Sequence, residues 1–384
     1  MTRTSPPASP AGRQPPTPSP HFFRPTWIEV DLEYISKNLH ALKKKIRPRV
    51  KILFVVKANG YGHGALPLAH FVQKQRLADW FGVSSLEEGI ALRQIGIRLP
   101  ILVLGSLYPF ANFKEALHFQ LTPTVASLTA AKELESVARK MKRRAFCHVK
   151  LETGMGRIGV RWPAAKEVVE RALTSKNLQL QGLYTHLACA ESNPSFTQDQ
   201  LHQFSEVLGH LSQIKIQVPL KHVANSCGLL RYPQSHWDMV RPGLAVYGLT
   251  QGFLPCLALK SRIVFLKQVP AGYSVGYGST YLTRNPSRLA TLPVGYADGY
   301  SRLLSNRGCV LVGGKRCPIV GSVTMDMTMI DVTEVPEARV GDVVVLVGTQ
   351  GKEKITVEEI AQKMGTLSYE FVCGLSARVP RVYI

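Results

Sequence analysis

Nowhere in the sequence do apolar residues run on for the ~20 positions that a membrane-spanning helix needs. That excludes a spanning helix and leaves the expectation of a soluble, cytoplasmic chain with no membrane partner. None of the seven cysteines (Cys147, Cys189, Cys227, Cys256, Cys309, Cys317 and Cys373) stands in C-x-x-C or zinc-finger spacing. An odd number without such pairs points to reduced thiols and to no metal site. Acids are scarce: 26 Asp and Glu face 47 Lys and Arg, a net charge of +21. Taken alone, that excess suggests nucleic acid or an anionic surface. The densest basic runs, 43–51 and 140–144, lack interleaved aromatic side chains, so no nucleic-acid partner is expected. The excess reads as solvated surface that would also favour a phosphate-bearing ligand. Residues 1–25 contain no acid, are crowded with Pro, Ser and Thr, and have neither a secretory apolar core nor twin arginines. They read as a disordered extension.

A core is nevertheless well provided for. Apolar residues make up 45% and charged residues 19% of the 384, the proportions of one large or two ordinary globular domains. From Trp27 onward, strand-length runs alternate with segments of helical period. The strand candidates are KILFVV, DWFGV, ILVLG, LTPTV, FCHVKL, LQGLYTHL, HVANS and VRPGLAVYG. The helix candidates between them include SLEEGIALRQ, TAAKELESVARKM, PAAKEVVERAL and DQLHQFSEVLGHLS. Such βα-like units predict an α/β fold, a (β/α)8 TIM-type barrel over residues 26–257. An open doubly wound sheet is the other arrangement this pattern allows. From 258 to 384, runs such as RIVFLKQV, RLATLPVGYA, CVLVGGKRCPIVGSV and DVVVLVG predict a smaller, mainly β domain holding one helix, TVEEIAQKMG.

Several residues stand where chemistry is plausible. The first strand candidate ends in VVKANGYGHG, so Lys57 follows an apolar run and glycines permit a tight turn after it. In a barrel, this puts an amine at the carboxyl end of a strand, where active sites sit. A Lys against apolar walls has a lowered pKa and can form a Schiff base. Without further context, a strand-end Lys is more often a surface residue. GMGRIG has the G-x-G-x-x-G form, but it comes late and no acid follows at dinucleotide-site spacing. It reads better as a loop presenting Arg157. The Ser226-Cys227-Gly228 turn opening CGLLRY suits an anion. Arg241 before Pro242, and Tyr277 among glycines, are by themselves unremarked structural residues.

Taken in order, VVKANGYGHG, KLETGMGRIG, THLACAE, HVANSCG, VRPGLAVYG, VGYGSTY, LPVGYADG, GSVTMDM and LSYEFVCGLSARVPRVY resemble segments of the bacterial alanine racemases, which depend on pyridoxal phosphate. The resemblance runs from Trp27 to the C-terminus. It implies that Lys57 carries the cofactor and that Arg157 contacts its ring oxygen and faces substrate. Lys150 would be carbamylated to pair with Arg157; Glu152 stands where the family more often has Asp. Arg241 would lie against the pyridine nitrogen, where many pyridoxal enzymes place an Asp. Because a guanidinium is never a proton donor at neutral pH, that nitrogen would stay unprotonated and the ring a weaker electron sink.

The same resemblance makes Tyr277 the second acid/base, opposite Lys57, with His186 linking it to Arg241. Tyr61, Ser226 and Tyr369, with backbone N–H groups near Gly243 and Leu244, would hold the phosphate, and Asn225 joins that cofactor-binding set. Met325 and Asp326, with Tyr277, would reach the neighbouring subunit's site, and Tyr296 would stand at the entrance. The expected protein is thus a homodimer with composite sites that interconverts L- and D-alanine and supplies D-alanine for peptidoglycan. A racemase for another small amino acid, a non-catalytic pyridoxal-phosphate carrier and a basic nucleic-acid-binding protein are the rival readings.

Overall fold

Residues 23–384 are described by a computed structural model. The disordered extension expected over 1–25 therefore lies, for residues 1–22, outside the described residues. Arg24 is tied into the fold by the buried carboxylate of Asp298.

The chain opens with β1 (Thr26–Val30), followed by β2 (Lys51–Val55), β3 (Trp80–Val83), β4 (Ile101–Ser106), β5 (Thr122–Val125), β6 (Ala145–Lys150), β7 (Leu178–Tyr184), β8 (Leu220–His222) and β9 (Met239–Val240). The last eight form one parallel sheet in the order β8-β7-β6-β5-β4-β3-β2-β9. Its edges meet through two backbone bonds, from Asp238 to the Lys221 carbonyl and from Arg241 to the Ala224 carbonyl, both 2.9 Å. The sheet is thereby nearly closed into the expected barrel. The eighth strand candidate is the shortest as built. Pro242 offers no N–H to a ladder, and of VRPGLAVYG only Val240 lies in β9.

Helices form where the periodic segments predict them, because each has an apolar face and a start signal. Leu128–Lys140 is capped by the Ser127 side chain and buries Ala130, Ala131, Leu134 and Ala138. Pro194–Gln213 starts from an Asn193 cap with Pro at its first position. Leu86–Gln94 carries a full capping box between Ser85 and Glu88. Inside the barrel, Leu53, Val55, Trp80, Leu102 and Met239 form a separate apolar plug. Thr124, His148, Tyr184 and His222, on β5 to β8, are also buried.

The structure departs from the expected barrel start at residue 26. β1 pairs antiparallel with Leu257–Arg262 and parallel with Arg381–Tyr383. The eight barrel positions are filled by β2–β9, so the backbone groups of β1 find their partners in the second sheet. That sheet runs Lys315–Pro318, Cys309–Val312, Val343–Gln350, Leu257–Arg262, β1, Arg381–Tyr383, with Glu353–Ile355 paired to Val343–Gln350. A three-stranded sheet of Phe265–Val269, Ser287–Leu292 and Thr328–Asp331 lies beside it. The predicted helix is Val357–Met364, and a further one, Ser368–Gly374, follows. Among the described residues, no helix is long and apolar enough to cross a membrane.

Candidate active site

A cleft of about 590 Å³ is lined by Lys57, Tyr61, Lys150, Arg157, His186, Asn225, Ser226, Arg241, Gly243, Leu244 and Tyr369. Lys57 follows β2 after Val56 alone, and Lys150 ends β6, so the cleft sits at the carboxyl ends of the strands. A second hollow of about 530 Å³, between β1 and residues 347–358, contains none of the expected residues.

The Lys57 turn is left-handed. Ala58, Asn59, Gly60 and Tyr61 have φ of 52°, 53°, 61° and 51°, a conformation that costs a residue other than glycine ~1–2 kcal/mol. Packing and side chains hold it. Glu88 Oε1 accepts from the Ala58 N–H at 2.6 Å, its Oε2 from the Ser84 N–H at 2.7 Å, and Asn59 Oδ1 from the Ala65 N–H at 3.0 Å. At Gly62 (φ 78°), a Cβ would stand 1.9 Å from the Val372 carbonyl oxygen. Helix Ser368–Gly374, which carries Tyr369 and Cys373, therefore rests directly on this turn. Burial, reinforced by the Arg157 charge, lowers the Lys57 pKa. The neutral amine is thus more available than on a surface lysine.

Arg241 is buried among fixed acceptors. Its Nη2 donates to the carbonyls of Thr185 at 2.8 Å and Val223 at 3.0 Å, and lies 3.4 Å from His186 Nδ1. Its Nη1 meets His222 Nδ1 at 2.9 Å. Burial lowers its pKa to about 10, which leaves it cationic at neutral pH. Its Nε–H has no bond to any described residue, while Arg241 lines the cleft. The guanidinium carbon stands 5.2 Å from the Tyr184 ring centroid, and that ring stacks on His222 at 4.7 Å and 7°.

The same cleft has a part suited to a phosphate. Ser226 Oγ accepts from the backbone N–H groups of Gly243 at 3.0 Å and Ala245 at 3.2 Å, which leaves its own O–H to donate. Asn225 Oδ1 is already used, capping the Gly228 N–H at 2.8 Å, so this residue shapes the turn. A Cβ at Gly243 would stand 2.9 Å from the Tyr61 hydroxyl, so glycine there lets the phenol reach the cleft. The Gly243 N–H, expected as a donor, is taken by Ser226; the Leu244 N–H makes no bond to the described residues.

Lys150 is buried, with its amine 5.6 Å from the Tyr184 ring centroid. Burial, then the charges of Arg157 and Arg241, lowers its pKa to about 8. Glu152 organises the glycine loop: its carboxylate accepts from the N–H groups of Gly154 at 2.6 Å and Arg157 at 3.3 Å.

Comparison with known proteins assigns this arrangement to a family. Residues 30–251 match the model of the alanine racemase N-terminal domain, and residues 256–383 that of the C-terminal domain. The chain belongs to the alanine racemase family. It is 45% identical over 372 residues to the alanine racemase of Halothermothrix orenii, covering 94% of this chain and 97% of that one. The structure of the Clostridium difficile alanine racemase superposes with a TM-score of 0.89 at 34% identity, covering 95% of this chain and 97% of that one. The Bacillus anthracis alanine racemase, solved with bound L-Ala-P, superposes with a TM-score of 0.88 at 36% identity, covering 95% and 96%.

Four residues expected in an alanine racemase site do not line this cleft. Tyr277, Tyr296 and Met325 are 75%, 44% and 53% exposed on the β domain, and Asp326, also exposed, pairs with Arg378 at 2.6 Å. They share one patch: Ser322 Oγ donates to the Tyr277 carbonyl, and the N–H groups of Tyr296 and Ala297 donate to the carbonyls of Thr324 and Met325, each at 3.0 Å. Other residues of the alanine racemase cleft, Tyr184 and Cys373 among them, escaped the sequence reading, as did Glu88, His148 and His222, which support its lining from outside. Glu88 was marked by Ser85-x-x-Glu88, a capping box whose acid also reaches the Lys57 turn. Tyr184, His148 and His222 had only their place in strand candidates, and Cys373 had no signal at all.

Proposed function

We propose that the chain is an isomerase that interconverts L- and D-alanine on pyridoxal phosphate, as a homodimer with composite sites. The observation that carries this reading is one cleft holding the Lys57 amine, the Arg241 guanidinium and the Ser226 hydroxyl. The donor set fits the cofactor. The Tyr61 hydroxyl, the Ser226 O–H, the Leu244 N–H and Tyr369 would hold the phosphate, Lys57 the aldehyde carbon, Arg157 the ring oxygen, and the Arg241 Nε–H the ring nitrogen. When bound, the cofactor draws electrons from the amino-acid Cα and so makes its hydrogen acidic.

The rest falls to the chain. Racemisation removes a proton from one face of Cα and delivers one to the other, so two groups must flank it. Lys57 has the lowered pKa of a usable base on one face. Tyr277, exposed on the β domain with Met325 and Tyr296, would serve the other face in a partner subunit's cleft. Exposed large side chains gathered in one patch favour such an interface. On this reading the cofactor-binding unit is the barrel within residues 26–257, and 258–384 closes the partner's site.

The test is direct. The purified protein, supplied with pyridoxal phosphate, is incubated with each small L-amino acid and the products are resolved by chiral chromatography. D-alanine formed well above the others supports the reading; racemisation of another amino acid alone, or of none, overturns it.

A further inference from the structure

Arg241 is held without a carboxylate. Its partners are two carbonyls and two imidazoles, and among the described residues no Asp or Glu forms an ion pair with it. Buried charges are ordinarily paired, so the choice of neutral partners needs a reason.

The hydrogen positions follow from the contacts. A guanidinium has only donors, so His222 Nδ1, 2.9 Å from Arg241 Nη1, is the accepting, bare nitrogen. The single proton of His222 therefore sits on Nε2, which lies 2.8 Å from His148 Nδ1. That nitrogen in turn accepts, and the His148 proton is on Nε2. His148 Nε2 is buried with no partner among the described residues, so the chain of bonds stops there; the His148 ring packs against Trp80 with centroids 5.3 Å apart. Both imidazoles are neutral and each has one defined tautomer. Their surroundings keep them so: burial, then the Arg241 charge, holds both well below the usual histidine range, His148 at about 3.

We infer that His222 and His148 are positioning residues that grip Arg241 with neutral acceptors only, so that its charge faces the cofactor's ring nitrogen uncompensated. This rests on the reading of the cleft as a pyridoxal-phosphate site. A carboxylate at position 222 would hold the guanidinium as firmly, but it would cancel much of the field that keeps a proton off that nitrogen. A neutral imidazole accepts the bond and adds no charge. His148 fixes which nitrogen accepts. Without its lone pair, His222 gains nothing by keeping its proton on Nε2 and is free to present an N–H to Arg241, donor against donor.

Two substitutions separate gripping from charge: His222→Gln offers a neutral acceptor and His222→Glu a charged one, with His222→Asp in reserve where the Glu variant does not fold. Each protein is loaded with pyridoxal phosphate carrying 15N in the ring, and the ring-nitrogen chemical shift is followed with pH. The expected result is an unprotonated nitrogen at neutral pH in the parent and Gln proteins and a protonated one in the acidic variant. Alongside it, kcat in the acidic variant should lie about tenfold or more below that of the Gln variant, with a smaller change in KM. The 15N-histidine spectrum of the unloaded parent should show Nε2–H tautomers for both His148 and His222, assigned by their loss in His148→Phe and His222→Gln. An Nδ1–H or doubly protonated form of either at neutral pH overturns the relay. The same ring-nitrogen state in the Gln and acidic variants overturns the charge argument. A chain that takes up no pyridoxal phosphate defeats the cofactor reading and the charge argument together, while the tautomer spectrum still judges the relay.

Discussion

Arg24 and Asp298 are bonded across 274 residues of chain: Nη1 and Nη2 of the guanidinium donate to the two carboxylate oxygens at 2.8 and 2.5 Å. The Asp298 side chain is 1% exposed, and its other cation, Arg378, is farther off at 3.6 Å. Asp298 also accepts from the Gly295 N–H, which shapes the turn that carries Tyr296. Arg24→Ala should therefore strand a buried carboxylate and cost about 3 kcal/mol, since breaking such pairs from one side costs ~3–5 kcal/mol and Arg378 remains. Urea unfolding measures it; a loss below about 0.5 kcal/mol would mean that Arg378 alone suffices.

Lys57 should carry the cofactor. Borohydride reduction of the loaded protein followed by peptide mapping is expected to place the pyridoxyl group there. A label on Lys150, which shares the cleft, would reassign the two lysines.

The composite sites proposed above can be tested by complementation. Mixing inactive Lys57→Ala subunits with inactive Tyr277→Phe subunits should restore part of the activity, because one cleft of each hybrid regains both groups. Each variant alone should lose at least ~10²-fold. Absence of recovery after proven subunit exchange would leave Tyr277 without a role across an interface.

Lys150 should be open to carbamylation. Its pKa is lowered to about 8, so the neutral amine that attacks carbon dioxide becomes the major form as pH rises through that value. The nitrogen bonds to carbon and gives up a proton to solvent, and the new anion faces Arg157. A carbamate signal from 13C-bicarbonate should grow as pH passes about 8 and be missing in Lys150→Met. Identical spectra for the two proteins in alkaline solution would refute it.

Gly62→Ala should hurt more than an ordinary turn substitution. Its φ of 78° disfavours a side chain, and the new Cβ would meet the Val372 oxygen at 1.9 Å, backbone that cannot swing aside. A cost of about 1–3 kcal/mol is expected, with weaker pyridoxal-phosphate affinity as Tyr369 is displaced. An unchanged dissociation constant would separate Tyr369 from the phosphate.

Much of this was legible because it is local. KILFVV followed by glycines put Lys57 at a strand end, and the periods of SLEEGIALRQ and TAAKELESVARKM placed two helix starts within a turn, whereas DQLHQFSEVLGHLS begins at Asp199, inside the helix Pro194–Gln213 that the Asn193 cap starts. What stayed hidden depends on partners far along the chain. Nothing in TWIEV says that β1 bonds to residues 257–262 and 381–383 rather than to the barrel beside it. Arg24 looked like part of a proline-rich extension, because its carboxylate lies 274 residues farther along the chain. The His148–His222 contact needs β6 and β8 brought round the curve of a closed sheet. The left-handed turn after Lys57 was signalled by Gly60 and Gly62 but extends through Ala58, Asn59 and Tyr61, where Glu88 from the next βα unit holds it in place.

The placement of β1 also governs how the molecule can come apart. The Ile28 N–H donates to the Pro380 carbonyl and the Ile384 N–H to the Val30 carbonyl, so early and late segments of the chain are laced together. A protease that nicks the connection near residues 250–255 would cut one of two tethers, not separate the parts. The halves should then travel as one particle through a sizing column and fall apart only in denaturant. Seen this way, the barrel and the β domain make a loop closed by hydrogen bonds, in which a single peptide cleavage opens the covalent ring and leaves the body joined.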